Sequence, residues 1–172
     1  MLFTSKRKKV LIIALLMIAL PFSAAKAEAD KQRVVSDLSY GVSLYNFFQD
    51  KYFSAITDLL IAKERQPIQS QGSDPDLLLG GLYLTYGLHQ DAGTIFHQLV
   101  DEHTTPIIRD RAWFNLAKLQ YKRGAHADSE KSLHRIQDTL PDYRNSERLH
   151  LLANIHMQGQ HYDEAIRTLE SF

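Results

Sequence analysis

The side chains best suited to chemistry in this sequence are its eight histidines, since histidine binds metal ions and transfers protons near neutral pH. His89 and His126 are 37 residues apart, and His97 and His134 are separated by the same interval. Packed helices lie about 10 Å apart, so equivalent histidines on stacked units are too distant to share one zinc ion, whose ligands lie at about 2 Å. Glu130 is four residues from both His126 and His134, but such a trio without a fourth ligand makes a weak site. We therefore predict no metal site.

Motifs for covalent or phosphate chemistry are missing from the sequence. It has no Gly-x-Ser-x-Gly element and no glycine-rich phosphate loop, and Gly80-Gly81 lies inside a predicted helix, where glycine permits close packing. Asp163 and Glu164 are adjacent carboxylates at a predicted helix start, where acids interact favourably with the helix dipole. The chain has no cysteine, which excludes disulfides, thiol catalysis and cysteine-ligated metals. We predict that the protein is not an enzyme and has no cofactor.

Charge is unevenly distributed along the 172 residues, a length that suits one domain or one short repeat array. The totals balance at 20 Lys+Arg and 20 Asp+Glu, and 44% apolar residues fit neither a disordered chain nor a protein embedded throughout in a membrane. Five of the bases and none of the acids precede residue 28, so the rest of the chain has 15 bases against 20 acids. That net charge of −5 gives no reason to expect a nucleic-acid partner.

The first 27 residues have the pattern of a secretory signal peptide. A basic cluster at 6–9 precedes eleven uncharged residues, Val10–Leu20, and the segment ends in the small-x-small sequence Ala25-Lys26-Ala27. A helix of that length spans only about 16 Å, whereas the hydrocarbon core of a bilayer is about 30 Å thick. We predict cleavage after Ala27 and a periplasmic protein with no stable membrane span. The alternative is an uncleaved signal that anchors the protein in the inner membrane.

The structural elements that would position a functional site recur along the chain at an interval of 36 or 37 residues. We call residues at equivalent places in successive repeats a column. The clearest column consists of the small residues Ala55, Ala92, Ser129 and Ala165. The other columns are Leu59, Phe96, Leu133 and Leu169; Ala62, Leu99, Ile136 and Phe172; Val42, Leu79, Leu116 and Leu152, each followed by a small residue (Ser43, Gly80, Ala117 and Ala153); and Tyr52, His89, His126 and Tyr162. Columns that share one interval predict four copies of one structural unit.

Each unit has the pattern of two amphipathic helices joined by a short polar turn. In the first unit, apolar residues at i, i+3 or i+4 and i+7 predict helices over 40–48 and 52–62, separated by the polar segment 49–51. The equivalent turns of the second and third units contain Gly87 and Gly124, which permit the left-handed conformation that ends a helix. In the fourth unit glycine comes one place early, at Gly159. The pattern therefore predicts an all-α fold.

This pattern resembles the tetratricopeptide repeat, whose usual form is Trp-x2-Leu-Gly-x2-Tyr, then Ala-x3-Phe, then Pro, over about 34 residues. Matching residues are Trp113, Leu116, Ala117, Gly124, Leu133, Ile136 and Pro141 in the third unit; Leu79, Gly80, Tyr83, Gly87, Ala92, Phe96 and Leu99 in the second; Tyr162-Asp163-Glu164-Ala165-Ile166 in the fourth; and Val42, Ser43, Tyr52, Ala55, Leu59, Ala62 and Pro67 in the first. Departures are the longer interval, Ser129 in place of Ala, and Gln120 where Tyr is common. The resemblance implies an all-α, right-handed superhelical solenoid of four helical hairpins, with units at 38–67, 75–106, 110–141 and 146–172 after a lead-in at 28–37.

In tetratricopeptide-repeat proteins the first helices line a concave groove that commonly holds an extended or helical peptide. The resemblance therefore implies a partner-binding groove formed by Tyr40, Leu44, Phe47, Leu77, Leu84, Phe114, Lys118, Tyr121, Lys122, His150, Asn154 and Met157. Its aromatic residues would anchor the partner, and its lysines would meet an acidic or C-terminal carboxylate. The alternative is that the large apolar members, namely Leu44, Phe47, Leu84, Phe114 and Tyr121, belong to the core between repeats.

Two classes of function remain open at this point. The favoured one is a periplasmic scaffold that holds a segment of a partner protein, and the resemblance implies a role in cell-envelope assembly. The other is a structural spacer or oligomerisation module without groove binding. Leu169 and Phe172 would lie on an open apolar face at the end of the repeats. We expect either that the sequence is the front part of a longer repeat protein, or that a partner or a second copy covers this face.

Overall fold

Eight α-helices and no β-strand make up the part of the chain that the structure, a computed structural model, describes: residues 35–65, 68, 71–101, 104–137 and 139–171. The helices are α1 (Leu38–Phe48), α2 (Tyr52–Arg65), α3 (Asp74–Thr85), α4 (His89–Leu99), α5 (Pro106–Lys122), α6 (His126–Leu133), α7 (Asp142–Gln158) and α8 (Tyr162–Glu170). The all-α prediction is confirmed. None of these helices is long and apolar enough to cross a bilayer. The predicted signal peptide, Pro67 and Phe172 lie outside the described residues.

Consecutive helices pack in four pairs, each joined by a three-residue connection. We call them pair 1 (α1 and α2), pair 2 (α3 and α4), pair 3 (α5 and α6) and pair 4 (α7 and α8). One residue of each connection adopts the left-handed backbone conformation: Asp50 (φ 58°), Gly87 (φ 75°), Gly124 (φ 77°) and Gln160 (φ 62°). The predicted role of the two glycines is confirmed. In pair 4, however, Gln160 takes this conformation instead of Gly159.

Capping and proline residues determine where several first helices begin. Asp37 caps α1, because its Oδ1 accepts a hydrogen bond of 3.0 Å from the backbone N–H of Tyr40. The helix consequently begins at Leu38, two residues before the predicted start. Pro75 lies in the first turn of α3 and Pro106 begins α5, positions at which a missing N–H leaves no helical hydrogen bond unmade.

The column of small residues is buried in all four pairs. Ala55, Ala92, Ser129 and Ala165 are each between 0% and 1% exposed. Ser129, which departs from the alanine of the other pairs, donates a hydrogen bond of 2.7 Å from its Oγ to the carbonyl oxygen of Ala117 on α5. Its hydroxyl is therefore satisfied inside the core, which explains how the column tolerates a polar residue.

Pair 2 brings its two helices into close contact at Gly80. A Cβ atom at this position would lie only 2.7 Å from Cε1 of Phe96. Because that distance is far below a normal carbon–carbon contact, a glycine is needed where α3 passes the Phe96 ring on α4.

Three hydrophobic clusters connect successive pairs, and each combines residues of two neighbouring pairs. We call these contacts junctions. Junction 1–2 contains Tyr40, Ala55, Ile56 and Leu59 of pair 1 with Leu79 and Leu82 of pair 2; junction 2–3 contains Leu77, Leu84, Ala92, Phe96 and Leu99 with Ile108, Ala112, Leu116 and Leu119; junction 3–4 contains Phe114, Ala117, Leu133 and Ile136 with Ile155. Burial of apolar surface contributes about 25 cal/mol per Å², so these junctions are the main source of cohesion between pairs.

A buried carboxylate connects α5 to the linker that precedes α7. Asp110 is fully buried, and its Oδ2 accepts hydrogen bonds from the backbone N–H groups of Gln137 (3.0 Å) and Thr139 (3.0 Å). The hydroxyl of Thr139 donates a third bond of 2.7 Å to the same oxygen. Asp110 therefore fixes the path of the chain between pair 3 and pair 4.

Candidate partner-binding surface

A stripe of polar and basic residues runs along α5, on the side that faces the first helices of the neighbouring pairs. Arg111, Asn115, Lys118 and Lys122 recur at i, i+4, i+7 and i+11, a spacing that puts them on one side of a helix. At one end, Nη1 of Arg111 lies 3.3 Å from Oδ1 of Asp74 on α3. We call the surface formed by this stripe and its neighbours on α3 and α7 the first-helix face.

Lys118 lies at the centre of the first-helix face, and its side chain is partly shielded from water. Its side chain is 37% exposed, and its Nζ lies 5.4 Å from the centroid of the Phe114 ring and 3.9 Å from Oε2 of Glu147 on α7. Burial lowers the pKa of Lys118; Glu147 acts in the opposite direction, and the positive charges of Arg144 and Lys122 lower that pKa further. The lysine charge is therefore incompletely compensated, and an incoming carboxylate would stabilise it.

The acidic partner of Lys118 is shared with a second cation. Oε2 of Glu147 also lies 3.5 Å from Nη1 of Arg144, whose guanidinium group stacks at 5.4 Å from the Tyr143 ring centroid. One carboxylate thus faces two cations, in addition to the exposed Lys122. The middle of the first-helix face carries excess positive charge, although the chain after residue 27 is acidic overall.

Four of the residues expected in the groove belong instead to the core. Tyr40, Leu77, Leu84 and Phe114 are 6%, 3%, 6% and 2% exposed. All four lie in the junction clusters, where the following pair covers them. They are not available to a partner in this conformation, so these predicted contacts are corrected to core packing.

Three further residues lie at the edges of the same clusters. Leu44 and Phe47 are half-buried against junction 1–2, and Tyr121 is half-buried against junction 3–4. The Phe47 ring contacts Tyr52 with centroids 5.7 Å apart, and Tyr121 contacts His126 with centroids 5.0 Å apart. These three side chains are therefore only partly accessible to a partner.

His150 and Met157 belong to the end of the described helices instead of the first-helix face. His150 is one repeat beyond Phe114, and Met157 is one repeat beyond Tyr121. Both are exposed, because among the described residues no further pair follows pair 4 to cover them. Of the twelve predicted residues, Lys118, Lys122 and Asn154 keep polar groups on the first-helix face, since Asn154 is the repeat equivalent of Lys118.

Sequence reasoning missed the charged residues that pair across the first helices, namely Asp74, Arg111, Arg144 and Glu147. The spacing of Arg111 from Lys118 and Lys122 on one helical stripe was a signal that could have identified it. The acids on α3 and α7 carry no such signal, because their role depends on how far the neighbouring first helix lies from α5.

No convergent set of metal ligands appears within the described segments, where no three His, Cys, Asp or Glu side chains cluster. His134 lies 3.8 Å from Glu130, as expected for residues four apart on a helix turn. Neither residue is joined there by the further ligands that zinc requires.

No protein-family model matches the chain, and no curated protein matches it significantly. The functional proposal therefore rests on the repeat pattern of this sequence and on the chemistry of its surfaces.

Proposed function

We propose that this protein is a non-enzymatic interaction scaffold of the tetratricopeptide-repeat type, whose first-helix face binds an acidic segment of a partner protein. The repeated columns of small and apolar residues support the family, and the four helix pairs with their shared junctions support a solenoid of helical hairpins. The right hand of that solenoid is what the family resemblance implies. Such a solenoid would hold a peptide along its first helices by equilibrium binding alone.

One observation carries the binding proposal: the half-buried Lys118 lies among Lys122, Arg144 and a single shared carboxylate. Partial burial strengthens electrostatic attraction to a ligand because less water screens it. A carboxylate that reached Lys118 would also relieve the cost of keeping that ammonium group charged. Acidic side chains or a C-terminal carboxylate are therefore the preferred ligands, and the half-buried Tyr121 on the same helix offers an adjoining apolar contact.

The proposal also includes export. The basic start, short apolar centre and small-x-small end of residues 1–27 are typical of a cleaved signal peptide, which favours the periplasm. Exported proteins of the resembling family often serve in envelope assembly. We therefore propose an envelope protein as the partner.

Partner capture from envelope extract tests the proposal when the two lysines are replaced together. In the Lys118→Gln, Lys122→Gln variant, retention of the partner should fall by about tenfold or more, since hydrogen bonds to charged groups contribute about 1.5–3 kcal/mol each. The matched control replaces two exposed lysines elsewhere, Lys51→Gln and Lys131→Gln, and should leave retention unchanged.

Salt provides the second arm of that experiment. Capture by the natural protein should weaken as ionic strength rises, because ions screen the attraction of the first-helix face. Equal capture by the Lys118, Lys122 double variant and the control variant, with no salt dependence, would contradict binding at this face.

A further inference from the structure

The carboxylate of Glu147 occupies the place on the first-helix face that an acidic ligand would need. Its Oε2 lies 3.9 Å from Nζ of Lys118 on α5 and 3.5 Å from Nη1 of Arg144 on α7. Both distances are within ion-pair range, so one internal carboxylate takes up part of the attraction of both cations. A carboxylate from a partner must therefore share these cations with Glu147 or replace it.

The two contacts of Glu147 differ in how the chain constrains them. Arg144 is three residues before Glu147 on the same helix, so that contact is made within one turn. Lys118 belongs to a different helix pair, and its contact is the longer of the two. A ligand can therefore take Lys118 from Glu147 while Glu147 keeps its contact with Arg144.

The stacking of helix pairs does not require the contact between Lys118 and Glu147. The equivalent positions hold Gly81 and Arg111 in pairs 2 and 3, and Leu44 and Asp74 in pairs 1 and 2; neither combination can form an ion pair. The Glu147 side chain is also 48% exposed, so it can turn into water without opening the core. Because exposed ion pairs contribute little to stability, this contact is a feature of the surface and not of the fold.

The charges around Lys118 indicate what Glu147 does to an acidic ligand. Burial lowers the pKa of Lys118, Glu147 raises it, and Arg144 and Lys122 lower it again. The charges near the Lys118 ammonium group are therefore one acid and two further cations. Since like charges repel, Glu147 opposes the approach of a second carboxylate to a site that is otherwise cationic.

We infer that Glu147 is an internal competitor for the acidic ligand, which occupies Lys118 until the ligand displaces it. The inference rests on the proposed function, because it concerns ligand binding at the same face. It assigns to Glu147 an effect opposite to that of the lysines, since Glu147 weakens binding. A partner segment is consequently released more readily than the lysines alone would allow.

An acidic probe tests the inference on the chain from Glu28 onwards. This part contains the compact unit Val35–Phe172 and lacks the five bases of residues 1–27, which would themselves attract such a probe. The probe is fluorescently labelled hexaglutamate, and its dissociation constant is measured by anisotropy at low salt. Glu147→Gln should bind it about two- to fivefold more tightly, because an opposing charge with the strength of an exposed ion pair is removed.

The matched control is Glu164→Gln on α8. Glu164 is also 48% exposed and also pairs with an arginine, since Nη2 of Arg167 lies 3.0 Å from its Oε1. Both variants change the net charge by the same amount, so a general electrostatic effect would appear in both. The control should bind hexaglutamate as the natural sequence does, and equal tightening in the two variants would overturn the inference.

The pKa of the Lys118 ammonium group, followed by NMR, reports on the contact without any ligand. Glu147→Gln should lower this pKa, because the acid that raises it is gone. Saturating hexaglutamate should raise it in the natural sequence, since a ligand carboxylate then lies beside Lys118. An unchanged Lys118 pKa in the Glu147 variant would show that the two side chains do not interact, which also overturns the inference.

The outcomes separate this inference from the proposed function. Tighter binding by Glu147→Gln, lost again when Lys118→Gln is added to the same chain, supports competition at Lys118. If the natural sequence binds hexaglutamate and Glu147→Gln binds it equally or more weakly, the inference is wrong and the proposed function stands. If neither binds at about 1 mM probe, both are wrong.

Discussion

In two of the columns, residues are buried in the middle pairs (pairs 2 and 3) and exposed in pair 1 or pair 4. In pair 2, Phe96 is fully buried in junction 2–3, whereas Leu169, its equivalent in pair 4, is 45% exposed. In pair 1, Val42 is exposed, whereas Leu79 in pair 2 is buried. The residue type at a repeat position therefore specifies what the position can contact, and the neighbouring pair decides whether the contact is made. Apolar burial therefore joins the middle pairs to their neighbours, and exposed apolar side chains remain on the first and last of the described pairs.

The turns show the same division. The middle pairs have Gly87 and Gly124 at the left-handed position, and the end pairs have Asp50 and Gln160 there. A left-handed conformation costs a residue with a Cβ about 1–2 kcal/mol, although aspartate tolerates it better than glutamine does. The middle pairs are consequently the better optimised part of the array.

The largest expected effect compares Phe96 with Leu169. Phe96→Ala should lower the free energy of unfolding by about 3–5 kcal/mol, because it leaves a cavity beside Gly80 in junction 2–3. Leu169→Ala, in the same column, should change the free energy of unfolding by less than about 0.5 kcal/mol, measured in protein dilute enough to remain monomeric. Urea denaturation of both variants measures the difference. Equal losses would show that pair 4 is covered in the isolated chain.

A second comparison concerns the linker before pair 4. Asp110→Ala should cost about 2–3 kcal/mol, because the backbone N–H groups of Gln137 and Thr139 lose their acceptor. Ser146→Ala, one repeat later, should cost less than about 0.5 kcal/mol, since Ser146 is only half-buried. Hydrogen exchange at Gln137 and Thr139 should accelerate in the Asp110 variant alone. Unchanged exchange there would contradict its role in fixing the linker.

A third comparison concerns the turns. Gly124→Ala should lower the free energy of unfolding by about 1–2 kcal/mol, because its φ of 77° disfavours a Cβ. Gln160→Gly should raise it by up to about 1 kcal/mol for the same reason. Asp50→Gly should gain less, since Oδ1 of Asp50 accepts a hydrogen bond of 2.7 Å from the Tyr52 hydroxyl. Thermal unfolding should therefore rank Gln160→Gly as the most stable variant, Asp50→Gly next and Gly124→Ala as the least stable. A stabilising Gly124→Ala change would refute the assignment.

The smallest expected effect concerns Lys118. A lysine whose folded pKa is below its usual 10.5 destabilises the fold while protonated, and this penalty disappears as pH rises through the folded pKa towards 10.5. Lys118→Met should therefore be as stable as the natural protein or more stable at pH 7, by less than about 1 kcal/mol. The difference should shrink as the pH rises through the lowered folded pKa towards 10.5. A clear loss of stability at pH 7 would mean that the Glu147 contact outweighs burial.

Local features were predictable from the sequence. Helix periodicity, the glycines at 87 and 124 and the buried small column depend on interactions within a few residues, or on a column repeated four times. The end of α2 lies three residues beyond the predicted Ala62, because only the polar pattern changes there and the backbone can continue.

The faces of the first helices were harder to assign. Tyr40, Leu77 and Phe114 lie at one repeat position and His150 lies at the same position in pair 4, yet the first three are buried and His150 is exposed. Whether such a residue lines a groove depends on the angle between pairs and on the presence of a following pair, and neither is encoded in local spacing. Asp110 was missed because a single buried acid gives no periodic signal.

Site-specific photo-crosslinking tests the proposed function most directly. A photoreactive residue at position 122, on the exposed end of the α5 stripe, is compared with one at position 131, whose side chain is 76% exposed on α6. In envelope preparations, position 122 should give a discrete adduct with a partner protein, and Lys118→Gln in the same chain should remove it. Position 131 should give none. No adduct from position 122, or the same adducts from both positions, would contradict binding at the first-helix face.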